Sequence, residues 1–117
     1  MKTKTKIIAR YAETDQMGVV HHSVYAVWFE AGRTDFLKIL GNSNTLIESK
    51  GVILPLYEMS CKFISPVKYE DEVFVITELK KVTRARIIFM YQIVDILTNQ
   101  ICTTGETMHA WTNKCFC

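Results

Sequence analysis

The chain has 117 residues, 49% of them apolar and 22% charged, with a formal net charge of +2. That length suits one domain with one core, and the composition is that of a globular chain, not a disordered one. The charge is too small for nucleic-acid binding by bulk electrostatics, and no apolar run approaches the ~20 residues of a membrane span.

The opening stretch "MKTKTKIIAR" is basic but has no apolar segment behind it. No secretory signal is read there, and the cytoplasm is the expected compartment. Cys61, Cys102, Cys115 and Cys117 form no C-x-x-C pair, and reduced thiols are expected of them. No repeat, low-complexity tract or linker interrupts residues 1–117, which read as a single domain.

Residues Thr3 to Tyr11 alternate as a strand, with Ile7, Ala9 and Tyr11 on one face. "ETDQMG" then supplies turn chemistry. From about Ser23 to Leu40 the period becomes helical: Tyr25, Trp28, Phe29, Gly32, Phe36, Ile39 and Leu40 form one apolar stripe. Ser23 or His22 suits the N-cap and Gly41 the stop. Gly32 weakens the helix, so it is expected where the helix closely approaches its neighbour. A short helical turn is expected within Asn44 to Ser49.

The period then falls to two. Tyr57, Met59, Cys61 and Phe63 share one strand face, and Pro66 ends that strand. Runs rich in Val, Ile, Thr and aromatics follow at Glu72 to Lys81, Arg84 to Leu97 and Ile101 to Asn113. "VKYED", "KVTR" and "LTNQ" read as hairpin turns between them. Short connections imply antiparallel pairing. The expectation is an α+β domain with a five-stranded antiparallel sheet wrapped around one long central helix. Its long edge strands call for a second copy joined edge to edge, a dimer or a dimer of dimers.

Several chemistries are missing. There is no G-x-S-x-G elbow, H-E-x-x-H helix, phosphate-binding glycine loop or dinucleotide fingerprint. What stands out is "AETDQMGVVHHSVY", Ala12 to Tyr25, where a carboxylate and two imidazoles surround one turn. The first amides of a helix lack intrahelical partners and carry partial positive charge, so they bind anions or polarise a carbonyl. A carboxylate there attacks that carbonyl or activates water. Equally, Asp15 is a common turn cap and the histidines can simply be solvated. Glu13, Asp15, His21 and His22 are close in sequence, but adjacent histidines tend to diverge, and no metal site is read.

The run "RYAETDQMGVVHHSVYAVWFEAGRTDFL", Arg10 to Leu37, resembles the active-site segment of the hotdog-fold acyl-CoA thioesterases, in their 4-hydroxybenzoyl-CoA thioesterase-like branch, which includes Tol–Pal-associated enzymes. Thr14-Asp15, Gly18, Val20, His22, Tyr25, Phe29-Glu30 and Arg33-Thr34 carry the likeness. "LPLYEMSCKFISPVKYEDEV", Leu54 to Val73, and "TGETMHAWTN", Thr104 to Asn113, resemble the family's central and closing strands in the same order.

The resemblance implies a hydrolase of short-chain or aromatic acyl-CoA. Asp15 is the implied catalytic carboxylate and His22 its assistant. The substrate is expected to lie at a subunit interface, against Gly18, Val20, His21, Tyr25, Phe29, Tyr57 and Met59. His21, where the family commonly has Tyr or Phe, is expected mainly to lend its backbone amide to the developing oxyanion. Lys62, Lys68, Arg84 and Arg86 are candidates for the coenzyme phosphates, with Arg84 and Arg86 on one strand face. No cofactor is implied, since coenzyme A is part of the substrate. Glu30 is the rival carboxylate, but Arg33 three residues on suggests a local ion pair instead. Glu58, mid-strand, reads as structural. The family usually continues past this C-terminus with a basic tail. The alternatives are a thioesterase for acyl carrier protein and a non-hydrolytic acyl-thioester binding module.

Overall fold

The computed structural model describes residues 1–39, 52–110 and 112–113. The expectations for Leu40, Gly41, the turn within 44–49, Cys115 and Cys117 lie outside those residues. The first strand, β1 (Lys2–Ile8), leads into a 3₁₀ turn at Tyr11–Glu13 and then into α1 (Val24–Ile39). The remaining strands are β2 (Val52–Ile53), β3 (Leu56–Phe63), β4 (Glu72–Val82), β5 (Arg86–Asp95), β6 (Ile101–Ala110) and β7 (Thr112–Asn113).

The five long strands form one antiparallel sheet in the order β1-β4-β5-β6-β3, and β2 pairs with β7 in a separate ribbon. Helix α1 packs across β1, β4 and β5. Its buried residues are Tyr25, Trp28, Phe29, Gly32, Phe36 and Leu37, at helical spacing. Against them stand Val73, Val75, Phe89, Tyr91 and Ile93, all nearly or wholly inaccessible. Phe29 stacks on Tyr91 at 4.4 Å between ring centroids. A Cβ on Gly32 would collide with Thr77 Oγ1 and lie 2.8 Å from Val75 Cγ1, so the helix touches β4 where its stripe lacks a side chain.

Three expectations change. Tyr11 does not continue β1: the chain turns at Arg10, and Tyr11 is 70% exposed in the 3₁₀ turn. "VKYED" is a turn but not a hairpin. It joins β3 to β4, which lie at non-adjacent places in the sheet, and it folds back on Ala9 through Ala9 N–H to Asp71 O and Glu70 N–H to Ala9 O. The other two turns are hairpins, with Thr83 N–H donating to Arg86 O and Asp95 N–H to Gln100 O. Finally, β3 is an edge strand exposed along nearly its whole length: α1 packs mainly across β1, β4 and β5 and meets β3 at its Phe63 end.

A directed hydrogen-bond chain runs under the helix. Arg33 Nη1 donates to Tyr91 OH at 3.1 Å, and Tyr91 OH meets Thr107 Oγ1 at 2.6 Å. His109 Nε2 is 2.9 Å from Thr107 Oγ1, and its Nδ1 is 3.1 Å from Leu54 O. A carbonyl only accepts, so Nδ1 carries the proton and Nε2 accepts from Thr107. Burial, then the charge of Arg33, holds the His109 imidazole below its ordinary pKa. The unfolded chain therefore takes up this proton first as pH falls. Stability is full above the unfolded value of about 6.5 and declines progressively as pH drops below it. The urea midpoint should fall between pH 7.5 and 5.5, and fall less in His109→Gln; equal slopes would refute the assignment.

Candidate active site

The strand-to-helix corner is built by local bonds. Asp15 N–H donates to Val19 O, Gly18 N–H to Asp15 O, and Met17 N–H to Asp15 Oδ1 at 2.8 Å, with a longer contact of 3.4 Å from Val19 N–H. Gly18 closes the turn at φ +78°, a left-handed conformation that disfavours any side chain. Asp15 is thus a turn cap through Oδ1, while Oδ2 has no hydrogen bond among the described residues.

Beyond the turn, Val20 is buried and its N–H donates to Val67 O, while Val19 bridges Lys68. The His21 amide is committed: it donates to Glu13 O at 2.9 Å. It is not available to an oxyanion, which corrects the expectation for His21. The His21 carbonyl accepts from Val24 N–H, and its Nδ1 accepts from Ser23 N–H at 3.2 Å, so His21 finishes the start of α1. Ser23 flanks the first helical residue as expected. The two imidazoles do not diverge; their centroids are 4.1 Å apart. Among the described residues, no acceptor is paired with the His22 N–H, so this amide at the corner is open.

An open cleft of about 360 Å³ is lined by Asp15, Val20, His22, Tyr25, Phe63, Ile64, Ser65 and Pro66. Asp15 and His22 share its wall without forming an ion pair. Tyr25 is its buried floor, with the Phe63 ring at 5.3 Å; burial pushes the Tyr25 phenol up from its ordinary range. A larger open cleft of about 730 Å³ lies across the same loop, lined by Tyr11, Thr14, Asp15, Gln16, Gly18 and Tyr69. Asp15 is the residue common to both.

Several expected site residues lie elsewhere in this chain. Phe29 is wholly buried between α1 and the sheet, so it is core and not cleft wall. Tyr57 sits at a register shift in β3 and Met59 further along it; both are exposed on the edge and line neither cleft. Lys62 pairs with Thr104 and projects from the opposite face of the sheet, beside Lys2, Gln92 and Glu106. Arg84 is in the β4–β5 turn, not on a strand face with Arg86, and both are at the end of the sheet remote from Asp15. Lys68 is beside the Asp15 loop through its bridge to Val19. Glu30 is exposed and forms no ion pair with Arg33, which reaches Tyr91 instead.

Two contributors were not singled out from sequence. The period-two pattern puts Phe63 on one strand face with Tyr57, Met59 and Cys61, yet only the fold brings that strand's end against Tyr25. Glu13 stood in the quoted motif next to Thr14-Asp15, and its burial beside Trp28 is a long-range property.

Residues 9–114 match the family profile described as the thioesterase-like superfamily. The chain belongs to that superfamily. The crystal structure of a DHNA-CoA thioesterase from Staphylococcus aureus superposes with a TM-score of 0.93 at 35% identity, covering 98% of this chain and 77% of that one. The hotdog fold expected from sequence is therefore the fold of this chain. YneP of Bacillus subtilis is 37% identical over 91 residues, 78% of this chain and 66% of that one. The acyl-acyl carrier protein thioesterase ATL3 of Arabidopsis thaliana is 28% identical over 108 residues, 92% of this chain and 57% of that one. The chain thus spans less than two thirds of the length of these two curated relatives. No described helix is long and apolar enough to cross a membrane.

Proposed function

We propose that this superfamily member is a cytoplasmic acyl-CoA thioesterase that hydrolyses short-chain or aromatic acyl-CoA. The observation that carries the reading is the corner itself: an unbonded Asp15 Oδ2 and the His22 ring on one cleft wall, with the unpaired His22 amide at the same residue. The thioester carbonyl accepts from the His22 N–H, a donor whose removal in comparable sites costs ~3–4 kcal/mol of barrier. Asp15 Oδ2 takes a proton from water, or attacks the carbonyl to give an anhydride that water then opens. By either course the C–S bond breaks, the water oxygen ends on the acyl carbon, and the sulfur leaves as thiol. His22 orients the water or the substrate.

The acyl group is proposed to lie against Tyr25, Val20 and Phe63. DHNA-CoA, named for the Staphylococcus aureus protein, favours an aromatic group there. The name of the Arabidopsis protein supports a second reading, in which the acyl group arrives on a carrier protein.

We also propose a homodimer, as the chain itself or as half of a dimer of dimers. The β1 edge carries Lys2, Lys4 and Lys6, whereas β3 exposes Leu56, Tyr57, Met59 and Phe63. Two-fold pairing of β3 with itself reverses the second sheet. It brings that copy's β4–β5 turn, with Arg84 and Arg86, to the end where Asp15 lies, and offers Tyr57 and Met59 to a shared cleft. Lys68 is then the phosphate candidate nearest the loop within the chain.

The test is thiol release from a panel of benzoyl-, butyryl- and decanoyl-CoA and the same acyl groups on carrier protein, with the mass in solution measured by light scattering. Turnover of CoA thioesters by a species of at least twice 13.5 kDa is expected. Binding without thiol release would leave a binding module, and a 13.5 kDa species would end the dimer proposal.

A further inference from the structure

Glu13 is a buried carboxylate that the chemistry above does not use; only 8% of the residue is exposed. Its Oε1 accepts from Arg10 N–H at 2.9 Å and from Arg10 Nε at 3.4 Å. Its Oε2 accepts from the Trp28 indole Nε1 at 2.9 Å and from Arg10 Nη2 at 3.4 Å. Its backbone carbonyl accepts the His21 N–H. Although burial raises its pKa, the backbone and side-chain bonds from Arg10, the Trp28 bond and the Arg10 charge together hold the carboxyl below its ordinary range.

An apolar residue would anchor this turn to the core without the desolvation of a charge. What the carboxylate adds is direction. Among the described residues, the hydrogen bonds of Asp15 all lie within its own turn, with Val19, Gly18 and Met17. Two residues earlier, Glu13 ties the same turn to Trp28 in α1 and, through His21, to the peptide that precedes the His22 amide. Trp28 in turn packs edge-on against Tyr25, the floor of the cleft, at 5.4 Å. One side chain and its carbonyl thus link the carboxylate loop, the open amide and the cleft floor.

We propose that Glu13 is a positioning residue for thioester hydrolysis, its tether to Trp28 and His21 fixing Asp15 relative to the His22 amide. The proposal rests on the thioesterase reading. All four groups facing the carboxylate are donors, so Glu13→Gln keeps the size but turns an NH₂ toward N–H groups on one side. Loss of such an outer bond typically costs ~10–100-fold, here expected in kcat, with KM for acyl-CoA within about threefold of wild type. Trp28→Phe removes the shorter of the two donors to Oε2, leaves Arg10 Nη2, and keeps an aromatic ring against Tyr25; it should lower kcat at least about fivefold, with KM again unchanged, and it carries the test if Glu13→Gln does not fold.

A kcat within about twofold of wild type in the folded variant overturns the proposal, whatever its melting temperature, and so does a loss confined to KM. Asp15→Asn separates the two readings. If it still turns over acyl-CoA, the catalytic assignment fails. If it is inactive while Glu13→Gln and Trp28→Phe match wild type, only the positioning role fails.

Discussion

Asp15→Asn is expected to lower acyl-CoA turnover by ~10²–10⁴-fold with little change in KM or fold. The substitution is unusually clean here because of how the two carboxylate oxygens are used. Oδ1 accepts the Met17 N–H, and an Asn amide oxygen takes that bond equally well. Gly18 retains its left-handed φ and the turn keeps its backbone bonds to Val19 and Gly18. What is lost is the basicity of Oδ2, which an amide nitrogen cannot replace as a proton acceptor or nucleophile. Thiol release with benzoyl- and butyryl-CoA, alongside far-UV circular dichroism, measures both sides. Near-wild-type turnover in a folded variant would remove Asp15 from the chemistry.

The second large effect is on stability. Gly105→Ala is expected to destabilise the fold by ~3 kcal/mol, at the upper end of overpacking costs. Its new Cβ would lie 2.7 Å from Phe29 Cζ and 2.8 Å from the Ser60 carbonyl oxygen. Ser60 belongs to the paired strand, so that oxygen has nowhere to go. Phe29 cannot yield cheaply either, since it is fully buried and stacked on Tyr91, which is itself held by Thr107 and Arg33. The melting temperature should drop by roughly 10 °C. Phe29→Leu should recover part of this in the double variant, because a smaller side chain frees the space over Gly105. Strict additivity of the two losses in urea denaturation would place the strain elsewhere.

What could be read from sequence was mainly local. The helix, the period-two strands and the close approach at Gly32 follow from short-range spacing, and the structure shows each. Sheet order was not legible. Nothing local distinguishes the "VKYED" turn, which crosses to a distant place in the sheet, from "LTNQ", which closes a hairpin. That one difference moved β3 to the edge and left Tyr57 and Met59 exposed. Phe29 was misplaced because its stripe faces both core and cleft, and only Tyr91 and Gly105 decide which it fills. The corner was recognisable from its motif, but the partner of each amide was not. His21 and His22 are neighbours, yet the carbonyl of Glu13 takes one N–H and leaves the other.

The two borders of the sheet have a consequence for solubility. A chain with two receptive borders can add copies without end, which is the geometry of fibres. Here one border carries lysine at every second residue and sits beside Glu72 through the Lys6 ion pair, while the other exposes Leu56, Tyr57, Met59 and Phe63 among its polar residues. In the proposed dimer, a second copy on the β3 border would present its own lysine-bearing β1 as the next free edge. Lysines on an edge strand disfavour further strand addition, so growth of the sheet is expected to stop there, and neutralising Lys2, Lys4 and Lys6 is expected to favour aggregation.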